Sequence, residues 1–275
     1  MGDVKKKVRR LEGRAGFLLE SDQNETEGDT LMPTNNKFFP ETAYKDWEFL
    51  DSVEGRTLRI IGEYLYPMTR LEKAKINSTI LFLGSSKAGP GGSEFNRYYW
   101  EAEELAYELA NWAIPLKAKG KNFVICTGAG PGIMEAANRG AARAGAKTIG
   151  MNISLPQPQN PNPYISPELS FTFHYFFMRK FWLTYKAKAV VAFPGGFGTL
   201  DEFFEIVTLL QTGKVSKKEL LLVLYGEKYW RRIIDFEALV KSKAIEPEEA
   251  KIFAYCSTPR QALGMLKKRL GKGIR

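Results

Sequence analysis

A chain of 275 residues with 44% hydrophobic and 26% charged side chains is long enough to bury a full core, which excludes disorder throughout. Its formal charge of +9 invites a nucleic-acid or anionic-membrane reading, but residues 1–10 net +4 and residues 260–275 net +6, so the stretch between them nets −1. A duplex-binding domain carries its basic stripe on the folded body, so neither a specific nucleic acid nor a membrane is expected as a partner. Two cysteines, Cys126 and Cys256, are too few for a disulfide framework or a zinc site. The start, MGDVKKKVRR, lacks the apolar core of a secretory signal, and no run approaches the roughly 18 apolar residues that span a bilayer. A cytoplasmic protein is expected.

Residues 1–42 read as a basic and polar flexible leader, and 43–275 as one domain. That domain opens with an N-terminal helical segment over 43–75, where Trp47, Phe49, Leu50 and Val53, then Leu58, Ile60, Ile61, Tyr64 and Leu65, mark two short helices ending at Pro67. Short apolar runs at 79–83, 123–127, 148–152, 189–193 and 220–224 read as strands buried on both faces. Helical patterns lie between and after them at 94–113, 133–144, 177–185, 200–210, 230–241 and 259–269. This alternation predicts an α/β fold, a Rossmann-like parallel sheet flanked by helices on both faces. The segment 155–170 holds five prolines and reads as an extended surface connection.

Ligands of such sheets bind at the carboxyl ends of the strands. Three strands run straight into loops of small residues: Gly84, Ser85 and Ser86 after the first, Gly128, Ala129, Gly130, Pro131 and Gly132 after the second, and Pro194, Gly195, Gly196, Phe197, Gly198 and Thr199 after the fourth. A glycine-rich strand end that opens a helix presents free N–H groups and the positive end of the helix dipole to an anion. One such loop is a common structural device; three in one sheet favour a nucleotide. The second loop has Ile133 where the dinucleotide fingerprint needs its third glycine, and no Walker A sequence occurs, which leaves a nucleoside monophosphate open.

Two constellations carry candidate chemistry. In AVVAFPGGFGTLDEFFE, Glu202 follows the glycines by one helical turn, yet Thr199 and Glu202 also have the spacing of a capping box; Asp201 reads as a solvated acid. In FHYFFMRKFWLTYKAK, Arg179 suits a fixed, bidentate grip on a carboxylate or phosphate, while Lys180 either joins it or snorkels to solvent. His174, the one histidine, reads as a packed structural residue.

The run PGGFGTLDE at 194–202 resembles the P-G-G-x-G-T-x-x-E motif of the LONELY GUY phosphoribohydrolases, a family often labelled lysine decarboxylases. Met178, Arg179 and Lys180 resemble its arginine helix, with Phe176 and Phe177 where the family has an acidic spacer, and the loops at 84–86 and 128–135 resemble its two other glycine-rich segments. The resemblance covers about 78–225 and implies hydrolysis of the N-glycosidic bond of an adenine or N6-modified adenine (cytokinin) nucleoside 5′-monophosphate. It implies Glu202 and Arg179 as the catalytic pair and the three loops, with Met134 and Lys180, as the substrate-binding set. It also implies a homodimer or larger homo-oligomer, and a reaction that needs neither metal nor cofactor. A non-catalytic carrier of a nucleotide or phosphorylated cofactor is the alternative on the same fold.

Overall fold

The computed structural model describes residues 42–89, 95–157 and 159–272. The leader expected over 1–42 lies almost wholly outside the described residues, as does position 94 at the start of one predicted helix.

Seven parallel strands form one sheet in the order β4-β3-β2-β1-β5-β6-β7: β1 Ser78–Leu83, β2 Phe123–Thr127, β3 Thr148–Ile153, β4 Ser170–Phe173, β5 Ala187–Ala192, β6 Leu221–Tyr225 and β7 Ala254–Cys256. The five predicted strands are present within a few residues, so the Rossmann-like reading holds. Alternation along β1 shows why both faces are covered. Leu81 and Leu83 join a core that includes Trp182, Phe203 and Trp230, while Ile80 and Phe82 join one that includes Leu105, Ile133 and Leu266. Helices α2 (Arg56–Lys73), α5 (Phe176–Tyr185), α6 (Phe197–Gln211) and α7 (Glu227–Ile233) contribute to the first layer. Helices α3 (Asn96–Ala113), α4 (Ile133–Arg143) and α9 (Pro259–Leu270) form the second. Two further short α-helices are α1 (Trp47–Asp51) and α8 (Phe236–Lys241).

Four expectations are corrected. Helix α2 does not stop at Pro67 but runs through it to Lys73. Proline has no N–H for the carbonyl four residues back, and that carbonyl, of Glu63, instead accepts the Trp182 indole N–H at 3.0 Å. The single helix expected over 230–241 is two, because Asp235 accepts the Ala238 N–H and caps a new start. The proline-rich connection is no simple surface strap, since Asn162, Ile165 and Leu169 are buried and its end forms β4. His174 is exposed rather than packed, and its backbone N–H donates to the Glu63 carboxylate at 2.6 Å.

Both cysteines are buried free thiols, and burial pushes each up to about 12, so neither is a nucleophile at neutral pH. Among the described residues, no helix is long and apolar enough to cross a membrane.

Candidate active site

The chain builds outward from β1 through β2 and β3 to β4, then crosses back to lay β5 on the other side of β1. Strand order therefore reverses between β1 and β5, the place where such sheets open a crevice. A cavity of about 620 Å³ lies there, within the range of small-molecule sites, about 300–1,000 Å³.

Ser85 ties the three glycine loops together. Its N–H donates to the Pro194 carbonyl at 3.0 Å, its carbonyl accepts the Ile133 N–H at 3.0 Å, and its hydroxyl accepts the Lys87 N–H at 3.0 Å. This knot explains two of the glycines. Gly132 has φ +73°, and a Cβ there would stand 2.2 Å from the Ser85 carbonyl oxygen; a Cβ on Gly195 would stand 2.8 Å from the Ser85 nitrogen. By contrast, Gly196 and Gly198 have nothing within 4 Å of where a Cβ would be, so their backbone faces open space.

The second loop is held by a buried polar network that its sequence does not announce. Asn138, on α4, accepts from the Thr127 hydroxyl at 2.7 Å and donates to the Thr148 hydroxyl at 2.5 Å. Asn162 donates to the carbonyls of Ala129 at 3.1 Å and Gly130 at 3.2 Å, and to Asn138 Oδ1 at 2.9 Å. Ala129, a non-glycine residue at φ +67°, is kept in that strained conformation by these bonds.

Helix α6 begins at Phe197 with Gly196 as its cap, three residues before the start a capping box would require. Thr199 is thus inside the first turn, and Glu202 is not its capping partner. Glu202 Oε1 instead accepts a hydrogen bond from Arg179 Nη2, an ion pair between two side chains that are each 13% exposed. Burial pushes the Glu202 carboxyl above the ordinary carboxylate range, and the Arg179 guanidinium pulls it back down. Arg179 lies 5.5 Å from the Phe176 ring centroid, and its Nε is buried without a partner among the described residues.

Of the expected site residues, Gly84, Ser85, Ser86, Gly128, Met134, Gly195, Gly196, Phe197, Gly198, Thr199, Arg179 and Glu202 line the cavity. Three do not. Gly132 serves the knot, and Gly130 lies beneath Gln159 and Met134. Lys180, one residue round the helix from Arg179, is turned to Asp201 at 2.6 Å and Glu205 at 3.3 Å; Asp201 is accordingly a partner of Lys180 as well as a solvated acid. The cavity also draws on residues not anticipated from sequence: Lys87, Phe95, Gln159, Phe176 and Tyr229. The Tyr229 hydroxyl donates to the Gly195 carbonyl at 2.6 Å. Nothing in the local sequence marks Tyr229, because it reaches the crevice only through the docking of α7 by the Trp230 indole on the Ala192 and Tyr225 carbonyls.

Residues 134–266 match the family described as possible lysine decarboxylase. A probable cytokinin riboside 5′-monophosphate phosphoribohydrolase of Oryza sativa subsp. japonica is 25% identical over 208 residues, 75% of this chain and 76% of that protein. A pyrimidine/purine nucleotide 5′-monophosphate nucleosidase of Escherichia coli strain K12 is 31% identical over 129 residues, 41% of this chain and only 27% of the nucleosidase, so the match spans about a quarter of its length. Among solved structures, a molybdenum cofactor carrier protein from Chlamydomonas reinhardtii is 20% identical, with a TM-score of 0.46, covering 71% of this chain and 99% of that one. Residues 134–266, just under half of the chain, thus carry the match to the family described as possible lysine decarboxylase, and relatives similar to the chain are named as hydrolases of nucleoside 5′-monophosphates.

Proposed function

We propose that the protein hydrolyses the N-glycosidic bond of a purine nucleoside 5′-monophosphate, adding water to the anomeric carbon and releasing the free base and ribose 5-phosphate. The observation that carries this reading is the largely buried Glu202–Arg179 pair beside the open backbone of Gly196 and Gly198 at the start of α6. The helix start suits a 5′-phosphate, since its N–H groups and dipole favour an anion. Bond cleavage passes through an oxocarbenium-like state, and a carboxylate one turn along the helix is suited to stabilise that positive charge and orient the water. Arg179 positions the carboxylate or the ribose hydroxyls. The named relatives, one acting on cytokinin riboside monophosphate and one on pyrimidine and purine nucleotides, support the reaction class and suggest adenine or an N6-modified adenine as the base, and with it a role in cytokinin formation.

A cytoplasmic homodimer or larger homo-oligomer completes the proposal. Phe176 and Phe177 on α5 and Leu58, Ile61 and Leu65 on α2 are all exposed, an apolar surface of the kind that a second copy covers. A sizing column tests that part.

Incubation with AMP is expected to yield adenine and ribose 5-phosphate, and Glu202→Ala to abolish turnover with an unchanged circular dichroism spectrum. Full activity in that variant would remove the carboxylate from the mechanism. Tight binding of AMP without turnover by the wild-type protein would place it with non-catalytic nucleotide carriers.

A further inference from the structure

The crevice has a direction. At its β5 side stand Gly196 and Gly198, followed by the Glu202–Arg179 pair. Beyond the pair lies Gly128, whose Cβ position is 4.0 Å from Arg179 Nη1 and 3.0 Å from Met134 Sδ. One step further is Gly130, whose Cβ position is 2.7 Å from Met134 Cε and 2.1 Å from Gln159 Nε2. Gln159 is therefore at the β2–β3 side, across the acid pair from the start of α6.

Its backbone is pinned there. The Gln159 carbonyl accepts from Asn152 Nδ2 at 3.1 Å, and three residues on, Asn162 is buried in the network beneath the second glycine loop. Its carboxamide, in contrast, lines the cavity and has no hydrogen-bond partner among the described residues. Ile153 and Leu155 supply apolar wall beside it. A half-buried polar group on a fixed backbone with its hydrogen-bonding capacity unspent is suited to a ligand.

We propose that Gln159 reads the polar edge of the substrate's nucleobase, an inference that rests on the proposed nucleotide hydrolysis. With phosphate at the start of α6 and the anomeric carbon at Glu202, the base extends toward Met134 and Gln159. A carboxamide both donates and accepts. Turned one way it matches the 6-amino edge of adenine, and turned the other way the 6-oxo edge of hypoxanthine, so it admits both purines. Purine riboside 5′-monophosphate, with hydrogen at position 6, offers the carboxamide one partner fewer than either base.

The test is to compare kcat/KM for AMP and for purine riboside 5′-monophosphate, which lacks the 6-amino group, in the wild type and in Gln159→Ala, with inhibition by ribose 5-phosphate measured in both. Gln159→Ala is expected to lower the ratio of AMP to the 6-unsubstituted nucleotide by about fivefold or more, the worth of one hydrogen bond. The same variant is expected to raise KM for AMP while leaving kcat nearly unchanged. Inhibition by ribose 5-phosphate, which has no base, stays within about twofold in both proteins, a control against general damage to the crevice. An unmoved ratio in Gln159→Ala with AMP hydrolysis intact overturns this assignment and leaves the hydrolase reading standing. A wild type that cleaves neither nucleotide overturns both.

Discussion

Glu202 enters the fold with its proton held more tightly than in the unfolded chain, because burial outweighs the attraction of Arg179. For a carboxyl raised in this way, the contribution to stability falls as pH climbs from the ordinary glutamate value through the folded one. Catalysis by the ionised form runs in the opposite sense, so kcat/KM is expected to rise with pH along an acid limb set above the usual carboxylate range. Arg179 pulls that limb down. Arg179→Gln is therefore expected to shift it to higher pH as well as slow turnover, and a pH profile in which the limb stays put would assign it to another group. Arg179 lines the crevice and Lys180 does not, a division that the sequence alone left open, because the acceptors of Lys180, Asp201 and Glu205, sit on a helix about twenty residues later. Asn138 was equally hidden: an asparagine in a helix looks like a surface residue until the strands on either side supply Thr127 and Thr148.

At the scale of elements, the helix that carries Arg179 is held at both ends by one residue of α2. The Glu63 carboxylate accepts the N–H groups of His174 at 2.6 Å and Tyr175 at 3.3 Å, just before α5 begins, and the Glu63 carbonyl accepts the Trp182 indole at 3.0 Å. The rings of Tyr64 and Trp182, with centroids 5.8 Å apart, close the same contact. Glu63→Ala is expected to cost about 1–3 kcal/mol by denaturant unfolding, from two hydrogen bonds to a charged acceptor, and to lower kcat through a less fixed Arg179. An unchanged unfolding midpoint would show the contact to be incidental. Local rules read Pro67 as a stop because they cannot see a tryptophan more than a hundred residues away ready to take the released carbonyl. The strands β4 and β7 were missed for a different reason: at four and three residues they are too short to show a period, and they exist because neighbouring strands offer them a ladder. The long apolar runs and the glycine loops were legible because burial on both faces and close backbone approach restrict composition directly.

For the whole molecule, the charge that dominates the composition has an ordinary structural home at the C-terminus. Helix α9 buries Ala262, Leu266 and Leu270 in the core and places Lys267, Lys268 and Arg269 in its last turn, where cations complement the helix dipole. That segment is part of the fold rather than a tail. The same holds at the other end of the domain, where Leu71 of α2 is fully buried in the core shared with Trp182 and Phe203. Because α2, α5 and the floor of the crevice share one core and one set of hydrogen bonds, their losses of structure are coupled. Heating is expected to give coincident curves for residual activity and for tryptophan fluorescence, a single cooperative transition; activity lost well below the melting of the core would mean the crevice unfolds on its own. The proline that interrupts α2 thereby acquires a thermodynamic meaning, since the carbonyl it frees makes the survival of the helix that carries Arg179 and that of the N-terminal helix one equilibrium instead of two.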